Sequence, residues 1–306
     1  MRIAVTGASG FVGGAVATAL ADRGDEVVGF GRTPRGWTHP RGRYRVWDIT
    51  AGQMVTDQEF DAVVHAAALV DPGASREESM RVNQFGTRNV VRSFVGSRIV
   101  HLSTTAVYDL TVPSVDVPES TPPARRFLSG YSASKLAAER ELAGADAVLL
   151  RPHLIYGSGS PLVGVLLRAA RAARGARLPM PSGGRVRHRL TSIGNVVHAV
   201  ERALRPDTPR GTYNIGDATP VELSSVVTEL LSRRGVDVRL VDVDVDAAAR
   251  AAATLEFAAR TARRRPLITR HTVKLLGLER TFDLDAARDR LGFHPTPTTL
   301  DGAEDW

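Results

Sequence analysis

The chain has 306 residues, 43% of them hydrophobic, enough to bury one large domain and a smaller lobe. Lysine and arginine outnumber the acids 40 to 33, but the arginines are spread along the whole chain with no zinc-finger spacing or aromatic-basic array, so no nucleic-acid partner is expected. The chain has no cysteine, which excludes disulfides and cysteine-ligated metal and suits a cytoplasmic setting, and with no run of about 18 apolar residues and an opening directly on a strand, no membrane span, leader or metal site is expected.

Arg2-Ile3-Ala4-Val5 reads as a short buried strand, and Val12 to Leu20 reads as a helix. Between them lies Thr6-Gly7-Ala8-Ser9-Gly10-Phe11-Val12-Gly13. Glycines spaced by three let the backbone turn sharply and approach a pyrophosphate, toward which the helix presents free N–H groups. Strands are predicted at 2–6, 26–30, 43–47, 61–65, 98–103 and 147–151, with helices at 11–22, 77–95 and 131–143. That alternation gives an α/β fold with a doubly wound parallel sheet. Segment 109–130, rich in proline, is expected as a loop over the site.

Beyond Gly157 the pattern loosens. A helix over 161–174 leads to a Gly/Arg segment, 175–189, and then to a helix over 193–204 and a strand over 212–215. Thr219-Pro220-Val221-Glu222 has a capping threonine, proline at the first helical position and glutamate three after the cap, which predicts a helix over 221–234. A strand over 237–241, a basic helix over 246–264 and an irregular tail follow.

Two further motifs carry chemistry. Tyr131-Ser132-Ala133-Ser134-Lys135 opens a helix, and its tyrosine and lysine at i and i+4 share one face, about 5–6 Å apart at Cβ. An ammonium there favours phenolate and draws the tyrosine pKa toward working pH, as proton donation to a carbonyl requires. Ser103-Thr104-Thr105-Ala106-Val107-Tyr108 closes the strand over 98–102 and sets hydroxyls at the sheet edge where ligands bind.

In this order and spacing the motifs resemble the extended short-chain dehydrogenase/reductase family over nearly the whole chain. The resemblance takes in the glycine turn, Asp48, His65-Ala66-Ala67-Ala68, Asn83-Gln84-Phe85-Gly86-Thr87, Ser103 to Tyr108, Tyr131 with Lys135, and Arg151-Pro152-His153-Leu154-Ile155-Tyr156-Gly157. It implies a Rossmann-type domain over 1–157 and a substrate lobe over 158–306, with the chain crossing back near 190–215. It also implies Thr104, Tyr131 and Lys135 as catalytic residues, with Ser103 and Thr105 as neighbours able to replace Thr104. Cofactor contacts are implied for Gly7, Ser9, Gly10, Phe11, Val12, Gly13, Gly31, Arg32, Asp48, Ile49, Ala66, Ala67, Ala68, Asn83, Ser103, Tyr131, Lys135, Pro152 and His153. Asn83 has an equal alternative as a helix-interior hydrogen bond, and for His153 a satisfied structural histidine is the preferred reading. Relatives often pair through the helices near 77–95 and 131–143, so a homodimer is allowed.

An NAD site needs a carboxylate at the end of the second strand, about 20 residues beyond the glycine turn. Here Gly31 stands in that place, followed by Arg32, with Arg35 near. Loss of the acid removes repulsion and a guanidinium can hold a 2′-phosphate, so NADP is expected over NAD.

Sugar-nucleotide dehydratases carry Asp-Glu after the catalytic threonine, whereas this chain has Thr105 and Ala106, so dehydration is not expected. Sugar-nucleotide epimerases place a diphosphate-binding arginine where this chain reads Arg185-Val186-Arg187-His188-Arg189-Leu190, leaving open a phosphate role for Arg187 or Arg189. Pro266-Leu267-Ile268-Thr269-Arg270 and Phe282 to Pro295 resemble the tail of 3β-hydroxysteroid dehydrogenase-like reductases, but the second segment is shared with the sugar enzymes, so only the first discriminates. The arginine-rich helix either covers an anionic substrate or forms a solvated face. The expectation is an NADPH-dependent carbonyl reductase, or the reverse alcohol dehydrogenase, for a small-molecule natural-product, β-keto or steroid-like ketone. A sugar-nucleotide 4-epimerase or 4-ketoreductase is the alternative. A non-catalytic NADP sensor is disfavoured because such proteins tend to lose the tyrosine–lysine pair.

Overall fold

The computed structural model describes residues 1–56, 58–173, 177–266 and 268–306. The first half comprises β1 (Arg2–Thr6), α1 (Phe11–Asp22), β2 (Glu26–Gly31), β3 (Gly42–Val46), β4 (Ala62–His65), α2 (Arg76–Ser79), α3 (Gly86–Ser93), β5 (Arg98–Leu102), β6 (Ser114–Val117), α4 (Gly130–Glu141) and β7 (Ala147–Pro152). The second half adds β8 (Ile155–Tyr156), α5 (Pro161–Ala172), β9 (Arg177–Pro181), β10 (Arg187–His188), β11 (Thr191–Ser192), α6 (Ile193–Ala203), β12 (Gly211–Ile215), β13 (Val221–Glu222), α7 (Leu223–Arg233), β14 (Arg239–Val243), α8 (Val245–Thr261), α9 (Arg270–Gly277) and β15 (Arg280–Phe282).

Seven strands form one parallel sheet in the order β12-β7-β5-β4-β1-β2-β3, so the strand order reverses direction beside β1. Both faces are covered, as an all-parallel sheet requires. On one face Ile3 and Val5 pack with Val16 and Leu20 of α1 and Val196 and Val200 of α6. On the other, Ala4, Val28 and Ile99 meet Val90 of α3 and Phe94, where Phe30, Phe60 and Phe94 pack edge to face. A separate apolar core, with Val163, Leu167, Leu223 and Leu231, holds the second half.

The six first-half strands and the helices at 11–22 and 131–143 fall within one or two residues of expectation. The helix expected over 77–95 is interrupted by a π-helical turn at Met80–Phe85. At this turn Thr87 Oγ1 donates to the Asn83 carbonyl at 2.6 Å, and the Asn83 amide grips the backbone of Leu69. The proline-rich segment carries β6, which pairs with β15. The cap predicted at Thr219 does not form. Val221 and Glu222 pair antiparallel with β10, and the helix starts at Leu223. Pairing satisfies both backbones there, which a helical turn at those residues would leave open. The tail is not irregular, since it contributes α9 and β15. The ends of the expected helix over 161–174 and of the Gly/Arg segment include residues 174–176, and the tail motif includes Leu267, all outside the described residues.

Candidate active site

The glycine turn lies at the C-terminal edge of β1. Gly7 has φ 74°, and a Cβ there would stand 2.7 Å from the Ala67 backbone nitrogen. A Cβ on Gly13 would collide with the Gly7 carbonyl. Gly10 caps α1 without a side chain, and no acidic residue lies in its first turn. The free N–H groups and the packed glycines thus leave a cradle able to accept an anion. The Phe11 ring approaches Gly159, so the chain beyond β8 passes beside this turn. Ala66, Ala67 and Ala68 are half-buried along the neighbouring strand end, with the Ala67 N–H given to Thr6 Oγ1.

At the end of β2 the space beside Gly31 is already filled. A Cβ would collide with the Tyr44 hydroxyl and lie 2.7 Å from Ser9 Oγ. Tyr44 is fixed there by donation to the Thr33 carbonyl at 2.9 Å. Arg32 is exposed. Asp48 accepts the Thr50 N–H at 2.8 Å. That bond chiefly holds its carboxyl below the ordinary range, with smaller contributions from Arg32 and Arg81. Ile49 is buried against Gly86, and Asn83 has its amide fully engaged by Leu69 and by Ser134 Oγ at 2.8 Å. Asn83 therefore ties the end of β4 to α4.

Three consecutive hydroxyls after β5 face three ways. Ser103 donates to Glu139, which also pairs with the buried Arg151. Thr105 bonds His153 Nδ1 at 3.0 Å, and His153 continues through Nε2 to His188 at 3.0 Å. Thr104 alone is turned to Tyr131 and caps the short turn behind it by accepting the Ala106 N–H. His153 thus sits behind the site, 2% exposed, with both ring nitrogens engaged. Pro152 ends β7 beside Ile215.

Tyr131 and Lys135 are both buried on α4. Burial pushes the Tyr131 hydroxyl up to about 12, against a lowering by Thr104. The expectation that Lys135 depresses this pKa is corrected here. The Lys135 ammonium donates to the Leu102 carbonyl at 2.6 Å and meets His101 Nε2 at 3.3 Å, and burial brings its own pKa down to about 8. The ammonium is committed to a carbonyl and an imidazole, and burial sets the pKa of the phenol.

Two neighbours escaped the sequence reading. His271 on α9 presents its edge to the Tyr131 ring at 6.2 Å, and its Nδ1 is 3.0 Å from Ser129 Oγ. Nothing local marks a contact spanning 140 positions. His101 was within reach, because period-two alternation sets it on the same face of β5 as Ser103. The two arginines left open are also placed: Arg189 donates to the carbonyls of Asp217 and Ala218, and Arg187 lies 3.9 Å from Glu279.

A doubly wound sheet bearing this glycine cradle and this tyrosine–lysine helix at one edge defines a dinucleotide-dependent oxidoreductase. The chain belongs to the NAD dependent epimerase/dehydratase family, the extended short-chain dehydrogenases/reductases, whose model matches residues 3–216. It is similar to the 4-hydroxy-2-methyl-3-oxo-4-farnesyl-3,4-dihydroquinoline-1-oxide ketoreductase of Stigmatella aurantiaca, with 31% identity covering 99% of this chain and 95% of the relative. A 3-beta-hydroxysteroid dehydrogenase of Mycolicibacterium neoaurum is 28% identical, over 97% of this chain and 88% of its own length. The solved structure of MoeE5 in complex with UDP-glucuronic acid and NAD superposes with a TM-score of 0.72 at 26% identity, covering 98% of this chain and 95% of that one.

Proposed function

We propose that the protein is an NADPH-dependent carbonyl reductase, working in reverse as an alcohol dehydrogenase, on a natural-product, β-keto or steroid-like ketone. The observation that carries this reading is the isolation of Thr104 as the one hydroxyl of three turned to a buried, protonated Tyr131. The nicotinamide, when bound, supplies or accepts the hydride. Thr104 hydrogen-bonds the substrate oxygen, and Tyr131 delivers its proton to that oxygen as the carbonyl becomes an alcohol. Lys135, held by the Leu102 carbonyl and His101, binds the nicotinamide ribose. Gly7 to Gly13 cradle the pyrophosphate. Preference for NADPH is supported at Gly31, where Tyr44 and Ser9 occupy the space of a ribose-binding carboxylate and Arg32 stands next in the chain.

The ketoreductase and the two 2-alkyl-3-oxoalkanoate reductases among the similar proteins support a keto substrate. MoeE5 bound to UDP-glucose and NAD keeps sugar nucleotides as the second reading. Arg189 gives its Nη1 to two carbonyls while its buried Nε has no partner among the described residues, so this arginine stays compatible with that second reading. No described helix is long and apolar enough to cross a membrane, and we infer a cytoplasmic enzyme from the lack of cysteine. A homodimer through the helices around Arg76–Ser93 and α4 belongs to the same proposal.

The test is fluorescence titration with NADPH and NADH, followed by NADPH oxidation on two panels, hydrophobic and β-keto ketones against nucleotide-linked keto sugars. Tighter NADPH binding with turnover on the first panel is expected. Turnover confined to the second moves the function to the sugar-nucleotide reading, and binding without any turnover makes the protein a sensor.

A further inference from the structure

Lysine occurs only twice in this arginine-rich chain, at 135 and 274. Lys274 lies on α9 and pairs with the exposed Asp246 at 2.6 Å. Lys135 is buried, and its polar partners among the described residues are neutral: the Leu102 carbonyl at 2.6 Å and His101 Nε2 at 3.3 Å. An ammonium has three donors and no acceptor, so Nε2 accepts and the one proton of the neutral imidazole sits on Nδ1. Burial and the Lys135 charge keep that ring neutral, which leaves Nε2 its lone pair.

This arrangement opposes folding locally. His101 is fully buried in β5 and its Nδ1 has no partner among the described residues. His65, with its ring 5.0 Å away, offers none, because the Thr6 and Thr87 hydroxyls take both its nitrogens. An unpaired N–H in a dry interior destabilises the fold. The neighbours in β5, Ile99, Val100 and Leu102, are apolar and buried, and an apolar residue at 101 would match them without that penalty. The ring is no proton relay either, since a path entering at Nε2 ends at Nδ1. Its one polar contact is the ammonium.

That contact is one of two rungs between β5 and α4. Residues two apart on the strand meet residues four apart on the helix: His101 bonds Lys135, and Ser103 bonds Glu139. Tyr131 lies one further turn back along the same helix. With two of its three N–H groups taken, the ammonium has one left to give.

We propose that His101 is a positioning residue, which with the Leu102 carbonyl fixes the Lys135 ammonium so that its third N–H serves the nicotinamide ribose. The proposal rests on the ribose role given to Lys135 and is independent of which carbonyl compound is reduced. The titratable groups facing Lys135 are His101 on β5, His65 on β4 and Tyr131 and Glu139 on α4, with Arg151 of β7 paired to Glu139.

With two lysines in the chain, ε-13C-lysine NMR follows Lys135 in the full-length protein without cofactor or substrate, and Lys274→Arg assigns the other signal. Lys135 should titrate at about 8 in the parent. In His101→Leu it should titrate at about 7 or lower, because a hydrogen bond to the charged form is lost. His101→Gln, whose amide carbonyl can accept in place of Nε2, should move it back toward the parent. At about pH 6.5, where the ammonium persists in each, fluorescence titration should show NADPH bound at least about fivefold more weakly by His101→Leu and recovered in His101→Gln. Equal titration and equal affinity in parent and His101→Leu overturn the proposal. So does a shifted lysine with unchanged NADPH affinity, which leaves His101 no part in cofactor binding. Should His101→Leu fail to fold, the parent ring decides: 15N-histidine shifts, assigned by their loss in His101→Gln, must report a protonated Nδ1 and a bare Nε2, and the opposite tautomer overturns the proposal. A parent that binds neither NADPH nor NADH refutes the ribose role of Lys135 and this inference with it. Turnover confined to nucleotide-linked sugars refutes the ketone reading alone and leaves His101 in its place.

Discussion

Moving the protein from about pH 7.5 to about pH 5.5 should remove much of its stability, and the reason is five buried histidines. His65 and His188 are held down to about 3 and His271 to about 4, while His101 and His153 lie well below the usual value. Burial is the main cause at all five. Lys135 adds to it at His65 and His101, and Arg280 at His153, His188 and His271. The folded values are depressed, so between about pH 6.5 and these values the unfolded chain takes up protons that the folded chain refuses. Stability therefore falls as pH drops through about 6.5. At about pH 5.5 each ring costs about 1.4 kcal/mol, and the five together cost on the order of 7 kcal/mol, comparable with the whole stability of many domains. Glu119, whose carboxyl is pushed up by burial, takes up its proton more readily in the fold and offsets part of this loss. The assay is urea unfolding followed by fluorescence at both pH values and constant salt. A stability difference below about 1 kcal/mol would mean that these rings are protonated inside the fold, and would refute the argument.

Four further outcomes are expected. Tyr131→Phe should lower turnover by about a thousandfold while NADPH titration changes less than about twofold, as removal of a proton donor predicts; unchanged turnover would remove Tyr131 from the mechanism. Ketone reduction should decline above about pH 8 as the Lys135 ammonium loses its proton, and a pH–rate profile of Lys135→Met should lack that limb. Gly31→Asp should weaken NADPH without gaining NADH, because Tyr44 and Ser9 leave the carboxylate no room; a clean switch to NADH in this single variant would show that Tyr44 yields. Arg280→Met should cost about 3–5 kcal/mol in denaturant titration, since the fully buried guanidinium donates to the carbonyls of Leu110, Val112 and Lys274 and to Ser114 Oγ.

The first half was legible because its signals are local. Runs such as Ile3-Ala4-Val5 and Ala62-Val63-Val64 mark buried parallel strands, and the glycine spacing marks the turn that follows β1. The second half was harder because its short strands exist only through distant partners. Val221 and Glu222 read as a helix start until β10 claims their backbone, and Arg280–Phe282 is a strand only beside β6 and β10. At the site, the residue types of the Thr104, Tyr131 and Lys135 set were visible, but their electrostatics were not. The spacing of Tyr131 and Lys135 predicts an ammonium acting on a phenol. The fold adds His101 and the Leu102 carbonyl, which take the ammonium for themselves. The division of labour among Ser103, Thr104 and Thr105 likewise depends on Glu139 and His153, which lie dozens of positions away.

The last strand of the large sheet, β12, comes from residues beyond α5 and α6 and lies along β7 in register from Gly211 against Val148 to Ile215 against Pro152. A fragment ending at Gly157 would expose β7 as a raw apolar edge, with Val148 and Leu150 stripped of cover and a row of unpaired peptide groups facing water, the template for intermolecular pairing. Chimaeras that replace the second half of the chain therefore need two junctions rather than one, and must carry Gly211–Ile215 with the recipient.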